Sequence, residues 1–555
     1  MTNIIIENNT PHTLLETQIE TQLEQLRRVS GRKKYQLILE SEHSSALVQS
    51  IPAQELFLMI KELGVLGVPD LIGMASPEQV TLCVDMDCWQ GDELDSDESL
   101  QWLHLLLIQD EKAFLRLIDG FDFELLVMMV KKQLTIITGL ESLHDDEDLM
   151  AERKRFDQVY ECEYRNEDVA KIMDYFQDVL FRERQEQFLR LMEAVRHEFD
   201  LALQEDVFTQ RNGRLQDLGF VDPFEARSLY SFVDPDTFNP DHHLNSTFIY
   251  ADRSDMPATP AFMLTLAVPQ DIIGELLSGG LSYELGYDLS FLLNRALSAE
   301  QVDFGEPDHV GQVMEDVYHV LNIALGYLAG SDLDRAETLL NEVYLQTLYQ
   351  LGFSLMVQQR RRAETIKASA IGSYLDGSDA ALINALCQQP KPQFYKGLVD
   401  ASRADVRSFH CWAEVVRVQS ELECIEVLQT LFSAEGLFGL PAPEDLDLCG
   451  CIPEQGSEVT LSELFLTALA NRLMGRDFLP EPIVATELLE LHQKVTLPAD
   501  GFNQLRQQTQ DWLEGLVPGS RIFASFCFDI WEQEFCALEE DEVIPQHVGG
   551  LLIRL

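Results

Sequence analysis

The sequence predicts a mainly α protein: an N-terminal stacked, repeat-like helical module followed by helical bundle domains, with little or no sheet. Three observations carry this. Apolar residues recur at three-and-four spacing along most of the chain, as in Val169, Ile172, Met173, Phe176, Val179 and Leu180. Strand-like alternation is confined to residues 247–250 and 551–555. Two helix-turn-helix-like units stand in tandem within residues 46–89.

The tandem units correspond residue by residue. Leu47, Val48, Ile51, Leu56, Leu58 and Ile60 reappear 24 residues later (71 − 47 = 24) as Leu71, Ile72, Ala75, Val80, Leu82 and Val84. Pro52 and Pro77 mark the two turns, and proline suits a first helical turn because its missing N–H would be unpaired there. Ser50 and Ser76 stand just before them, where a hydroxyl accepts a bond from an orphan N–H. A looser third copy covers residues 114–132, with Leu115, Ile118, Leu125, Leu126 and Met129 apolar. Stacked units bury a continuous core and leave one extended face open. The competing reading is a plain bundle whose short amphipathic helices merely look alike.

Composition bounds the rest. A chain of 555 residues, 46% hydrophobic, has the makings of several cores, roughly three or four domains. Asp and Glu number 94 against 40 Lys and Arg, a net charge of −54. Such a surface repels phosphate backbones and anionic lipid, so nucleic acid is not an expected partner. No run reaches the ~18 apolar residues of a membrane span. Residues 1–18 lack a basic n-region and a long apolar h-region, so no secretory signal is expected. Ten scattered cysteines without a CxxC pair fit a reducing cytoplasm. The Cys449-Gly450-Cys451 pair lacks the second thiol pair or histidines of a soft-metal site.

In chain order, residues 1–138 read as the repeat-like module and 139–232 as a long-helix region. Residues 233–260, rich in Pro, Asp and Asn, read as a linker, followed by a central helical domain at 261–378 and a C-terminal one at 379–555. Asp222-Pro223 has the order of an N-cap and N1 proline. The hub of the central domain is an expected hairpin over residues 317–353. Its turn is Gly330-Ser331-Asp332, and Arg360-Arg361-Arg362 is expected to close the returning helix. Helices are also expected over 102–108, 409–432, 461–474, 482–494, 502–516 and 522–538.

Candidate functional residues fall in two places. Arg27, Arg28, Arg32, Lys33 and Lys34 form a basic run in an acidic chain. It reads as a helix-end complement, as an intramolecular partner for the acidic surface, or as a contact for an anionic ligand or partner. Residues 85–98 hold Asp85, Asp87, Asp92 and Asp95, the metal-ligand candidates, within an acidic stretch expected to be a solvated loop. An EF-hand needs an oxygen ligand at the fifth position and glycine at the sixth. Trp89 and Gln90 stand there instead. His197-Glu198 lacks the second histidine of a zinc protease, since position 201 is Leu. His242-His243 reads as an exposed loop pair, and Glu161 and Glu163 as a chance pairing. Phosphate-cradling, dinucleotide, nucleophile-elbow and zinc-knuckle motifs are absent from the sequence.

The phrases IPAQELFLMIKELG, MASPEQVTLCVDMDCWQGDE, RNGRLQDLGFVDPFEARSLY, AGSDLDRAETLLNEVYLQTLYQLGFSL and LTALANRLMG resemble the bacterial domain-of-unknown-function family 6178 over roughly residues 30–540. The resemblance implies a bacterial cytoplasmic protein and supplies no activity, cofactor or catalytic residue. The leucine–proline–acid rhythm of the N-terminal units is also similar to the helical cytoplasmic domain of MgtE-type magnesium transporters. The expectation is therefore a non-enzymatic cytoplasmic scaffold or interaction protein, without a cofactor, whose partner is another protein. The alternatives are a divalent-cation-responsive regulator using residues 85–98, or an enzyme whose site leaves no local motif.

Overall fold

The computed structural model describes residues 31–139, 160–244, 270–278, 283–433, 436–496 and 501–555, with a few positions between 19 and 29. The expected strand at 247–250, the acidic segment 140–152, and Arg27 and Arg28 lie outside the described residues. The chain forms two compact units: Met1–Ser231, Asn239–Leu321 and Leu328–Gln350 make the first, and Phe232–Phe238, Asn322–Tyr327 and Leu351–Leu555 the second. Among the described residues no helix is long and apolar enough to cross a membrane.

The first unit begins with α1 (Gly31–Glu40), α2 (Ser44–Gln49), α3 (Ala53–Leu63), α4 (Pro69–Met74) and α5 (Pro77–Asp87). A two-residue hairpin, β1 (Trp89–Gln90) and β2 (Glu93–Leu94), leads to α6 (Ser96–Leu107), α7 (Glu111–Asp119) and α8 (Phe123–Lys131). The antiparallel pair β3 (Leu134–Thr138) and β4 (Glu161–Tyr164) precedes α9 (Glu167–Glu183), α10 (Gln185–His197), α11 (Asp200–Asp217) and α12 (Pro223–Ala226). Further on come α13 (Ile272–Ser278), α14 (Tyr283–Glu300), α15 (Pro307–Ala329), α16 (Leu333–Glu342) and α17 (Leu345–Ala368), of which Asn322–Tyr327 in α15 and the part of α17 from Leu351 on belong to the second unit. Mainly helical structure with small sheets is what the periodicity predicts.

The tandem units are α2–α3 and α4–α5, and the looser third is α7–α8. α2 packs on α4, α3 on α5, and α4 and α5 both on α7. Burial matches between the first two units: Leu47 with Leu71, Val48 with Ile72, Ile51 with Ala75, Leu56 with Val80 and Ile60 with Val84 are all buried. Leu58 and Leu82 are both half-buried. The seams are tied through backbone. The buried Gln79 amide donates to the Val48 and Ile51 carbonyls at 3.0 and 2.7 Å. Arg116 on α7 donates to the Ala75 and Gly73 carbonyls at 2.8 and 2.6 Å. Each bond satisfies acceptors at the end of a preceding short helix.

Helix starts follow the capping chemistry. Ser76 and Gln79 form a reciprocal capping box. Asp95, Asp110, Asp122, Asp222 and Asp332 each accept backbone N–H bonds as N-caps, so part of the acid excess is spent on helix N-termini. Ser50 differs from expectation. Its hydroxyl donates back to the Ala46 carbonyl at 2.8 Å, closing α2, and α3 starts from Pro52 without a side-chain cap. α10 ends at Glu198, whose backbone is extended, and Phe199 beyond it is exposed. The helix returning from Gly330 is interrupted. Val343 leaves helical geometry to bridge Leu244, separating α16 from α17.

The second unit contains α18 (Gly377–Leu386), the pair β5 (Phe394–Tyr395) and β6 (Val406–Arg407), and α19 (Trp412–Leu431). These are followed by β7 (Cys451–Ile452), α20 (Leu461–Leu473), β8 (Ile483–Val484), α21 (Leu488–Thr496), α22 (Gly501–Leu516), α23 (Arg521–Trp531) with a π-turn at Glu532–Cys536, and β9 (Ile553–Arg554). β9 lies between β7, antiparallel, and β8, parallel. α17 runs on to Ala368, so Arg360-Arg361-Arg362 lies inside that helix and not at its end. Arg362 makes a two-pronged pair with Glu426 on α19 at 2.9 and 3.0 Å, and Arg361 lies 4.0 Å from the Phe232 ring centre. Those cations serve neighbouring groups instead of a helix dipole.

Candidate functional site

Residues 85–98 are not one solvated loop, because the apolar face of α5 carries the first acids inward. Asp85 is fully buried. Arg214 on α11 grips it through Nε to Oδ2 at 2.6 Å and Nη2 to Oδ1 at 3.0 Å, and reaches Asp122 Oδ2 through Nη1 at 2.9 Å. Burial pushes the Asp85 carboxyl up from its ordinary value, against the pull of Arg214. Burial opposes the Arg214 charge too, but bonds to Asp85 and Asp122 outweigh it and raise Arg214. Arg211, one helical turn earlier, donates to the Asp85 carbonyl at 2.8 Å and stacks 5.2 Å from the Trp89 ring centre. The Asp87 carboxylate, its side chain 2% exposed, accepts from Lys61 at 2.6 Å and from the Trp102 indole at 2.8 Å.

The other candidate ligands have separate roles. Asp95 caps α6, with Oδ1 accepting from the Asp97 and Glu98 amides at 2.8 and 2.9 Å. Asp92 is exposed in the hairpin turn beside Gly91, whose φ of +67° calls for glycine. Among the described residues no group of three or more His, Cys, Asp or Glu side chains is placed to hold a metal ion. Glu98 Oε2 is buried without a hydrogen-bond partner. Burial, then the charges of Asp87, Asp95 and Asp303 against Lys61, raise the Glu98 carboxyl above its ordinary value.

The basic run divides. Lys34 is buried and paired with Glu55. Arg32 and Lys33 are exposed on α1, and neither has a carboxylate partner among the described residues. Elsewhere, Glu161 and Glu163 both face solvent from β4, and His242 is exposed in a short 3-10 turn. Cys449 is exposed and Cys451 buried, both as free thiols. A cavity of about 170 Å³ in the first unit is lined by Gln22, Gln25, Leu37 and Ser41 among others, with Glu40 the one titratable group among the described residues that line it.

A family model described as a family of unknown function, DUF6178, matches residues 12–554. The chain belongs to that family. No curated protein and no solved structure matches it.

Membership in DUF6178 brings no chemistry with it, so chemistry has to be read from the groups themselves. Nucleophilic catalysis by cysteine needs a lowered thiol pKa. In this family member the thiols of Cys83, Cys88, Cys162, Cys387, Cys424, Cys527 and Cys536 are all pushed the other way, first by burial. One carboxyl pair, at the start of α18, is not legible in the sequence because burial by other elements is what perturbs it. In the second unit, burial and then the charges of Asp376 and Glu421 push Asp379 up to about 6. Asp376 itself is raised by burial, with Ser462 Oγ 3.5 Å away. Because the folded pKa lies above the unfolded one, the penalty is absent below about pH 4 and complete above about pH 6. Asp379→Asn is therefore expected to stabilise the second unit by on the order of 2 kcal/mol at pH 7. Denaturation at pH 7 and pH 4 checks this; an equal effect at both rules it out.

Proposed function

We propose that the protein is a non-enzymatic cytoplasmic interaction scaffold whose N-terminal helical module presents a preformed surface to another protein. The observation that carries this reading is the exposed pair Arg32 and Lys33, without carboxylate partners among the described residues of a chain with 94 acidic residues. Cations left open on such a background offer a contact to an acidic segment of a partner. The stacked units support it: Asp85 and Asp87 are consumed in holding helices together, so the module is rigid framework and its working groups lie outside. A photo-crosslinking residue in place of Lys33 in the full chain, expressed in cells, is expected to trap one discrete protein. Arg32→Glu should cut that adduct about tenfold. No adduct above a crosslinker placed at Glu205 overturns the reading.

The second reading is a divalent-cation-responsive regulator using residues 85–98. The unpartnered Glu98 Oε2 beside Asp87 and Asp95 is the observation that favours it. Titration calorimetry decides between them: heat with Mg²⁺ or Ca²⁺ below about 1 mM, lost in Glu98→Gln, supports the second.

A further inference from the structure

Two thiols, one residue apart, bracket Gly450 in the turn that enters β7. Residues 448–451 form a β-turn closed by the Cys451 amide on the Leu448 carbonyl at 3.0 Å. Gly450 holds its third place with φ +68°, which calls for glycine. Residues two apart lie at most about 7 Å apart in an extended chain, and a turn shortens this into the range of about 4.4–6.8 Å that disulfides take. The Cys451 sulfur folds back over the turn, 3.8 Å from the Cys449 carbonyl oxygen. Cys449 is exposed and Cys451 buried, so one thiol meets solvent and the other is shielded behind it.

A cation stands beside the inner thiol. Cys451 on β7 and Arg554 on β9 are directly opposed in an antiparallel pair, so their side chains share a face. Arg554 Nη2 donates to the Asp447 carboxylate at 2.9 Å and to its carbonyl at 3.2 Å. Arg554 Nε is buried and has no nitrogen or oxygen acceptor among the described residues. Interaction with the Cys451 sulfur, and then with Asp447, holds the guanidinium above its ordinary value. Thiol–disulfide exchange runs through thiolates, and a guanidinium with an open donor is a neighbour that accommodates one. Cys424 is the contrast: it is also exposed but is the one cysteine of its helix, α19.

We propose that Cys449 and Cys451 form a dithiol–disulfide couple that exchanges with low-molecular-weight disulfides, Cys449 attacking and Cys451 resolving. The Cys449 thiolate, its proton released to solvent, attacks one sulfur of the disulfide RSSR. A bond forms between Cys449 Sγ and one RS group, and the other leaves as RS⁻. The Cys451 thiolate, its proton likewise released and its charge held by Arg554, then attacks the Cys449 sulfur. The Cys449–Cys451 bond closes and the second RS⁻ is expelled. Both leaving groups take protons from solvent, so two electrons pass from the protein to RSSR and two RSH are released. A ring closed across a single glycine is strained and readily reduced, which makes the couple reversible and not structural.

Oxidised glutathione added to the reduced full chain tests this, read by peptide mass mapping after the remaining thiols are blocked in denaturant. The expected product is a peptide spanning residues 449–451 about 2 Da lighter than its dithiol form and free of glutathione. Any glutathione on Cys424 should stay there. Cys451→Ser should trap glutathione on Cys449. Arg554→Gln should slow ring closure at least about tenfold at about pH 7 and move its pH profile upward, and Arg554→Lys should restore most of the rate. An unmodified chain that keeps glutathione on Cys449 overturns the proposal, and so does one in which both thiols stay free. Closure at an unchanged rate and pH profile in Arg554→Gln overturns the part given to Arg554.

Discussion

Arg214→Met is expected to destabilise the first unit by about 3–5 kcal/mol, the range for removing one partner of a buried ion pair. The reason lies in what is left behind. Asp85 has no exposed surface, and Arg214 supplies both of its side-chain hydrogen bonds. Methionine fills much of the arginine stem's volume, so the loss isolates the charge and not the packing. Asp85→Leu in the same chain should restore most of the stability, because an apolar pair of similar volume avoids the desolvation cost of two ions. Hydrogen exchange of α5 and α11 measures it locally, which matters in a chain of two units where one global midpoint is not well defined. If Arg214→Met and the double variant exchange alike, the pair is not what holds α5 to α11.

Trp102→Ala should cost a similar amount, about 3–5 kcal/mol, by a different route. The indole is fully buried on α6 and its Nε1 donates to Asp87 at 2.8 Å. Alanine removes the ring, leaves a void, and takes one donor from a carboxylate that, among the described residues, keeps Lys61 as its remaining partner. Trp102→Phe separates the two losses. It fills most of the space and removes only the donor, so about 1–2 kcal/mol is expected. Exchange in α5 and α6 again reads the result, and equal losses for both variants would assign the whole effect to the hydrogen bond.

Local signals in the sequence were the dependable ones. The apolar register of residues 47–60 and 71–84 returned as matched burial, and Ser76 and Asp222 cap the helices they precede. The alternation at 551–555 returned as β9. Each depends on residues a few positions apart. Misreadings arose where a distant residue decides the outcome. Asp85 lies 129 positions from Arg214, so nothing in its own neighbourhood distinguishes a buried pair from a solvated acid. Arg360-Arg361-Arg362 suits a helix end by local rules, yet Glu426, 64 residues on, gives Arg362 a partner inside α17. Val343 fits the stripe of a continuous helix until its bridge to Leu244 is seen. The Asp376–Asp379 cluster owes its raised carboxyls to burial, which composition does not encode.

The placement of β9 sets a timetable for synthesis. β7 and β8 do not pair with each other; each pairs with β9, which follows β7 by 102 positions (553 − 451 = 102). At ribosomal speeds of about 5–20 residues per second, β7 waits roughly 5–20 s with its backbone edge open. The Leu552 amide and its acceptor, the buried Thr467 hydroxyl, are likewise unmatched until then. During that interval the nascent second unit carries two unfilled strand edges, the kind of surface that other chains can pair with. Its most vulnerable interval therefore runs from the emergence of β7 to that of β9, while its intervening helices are already forming.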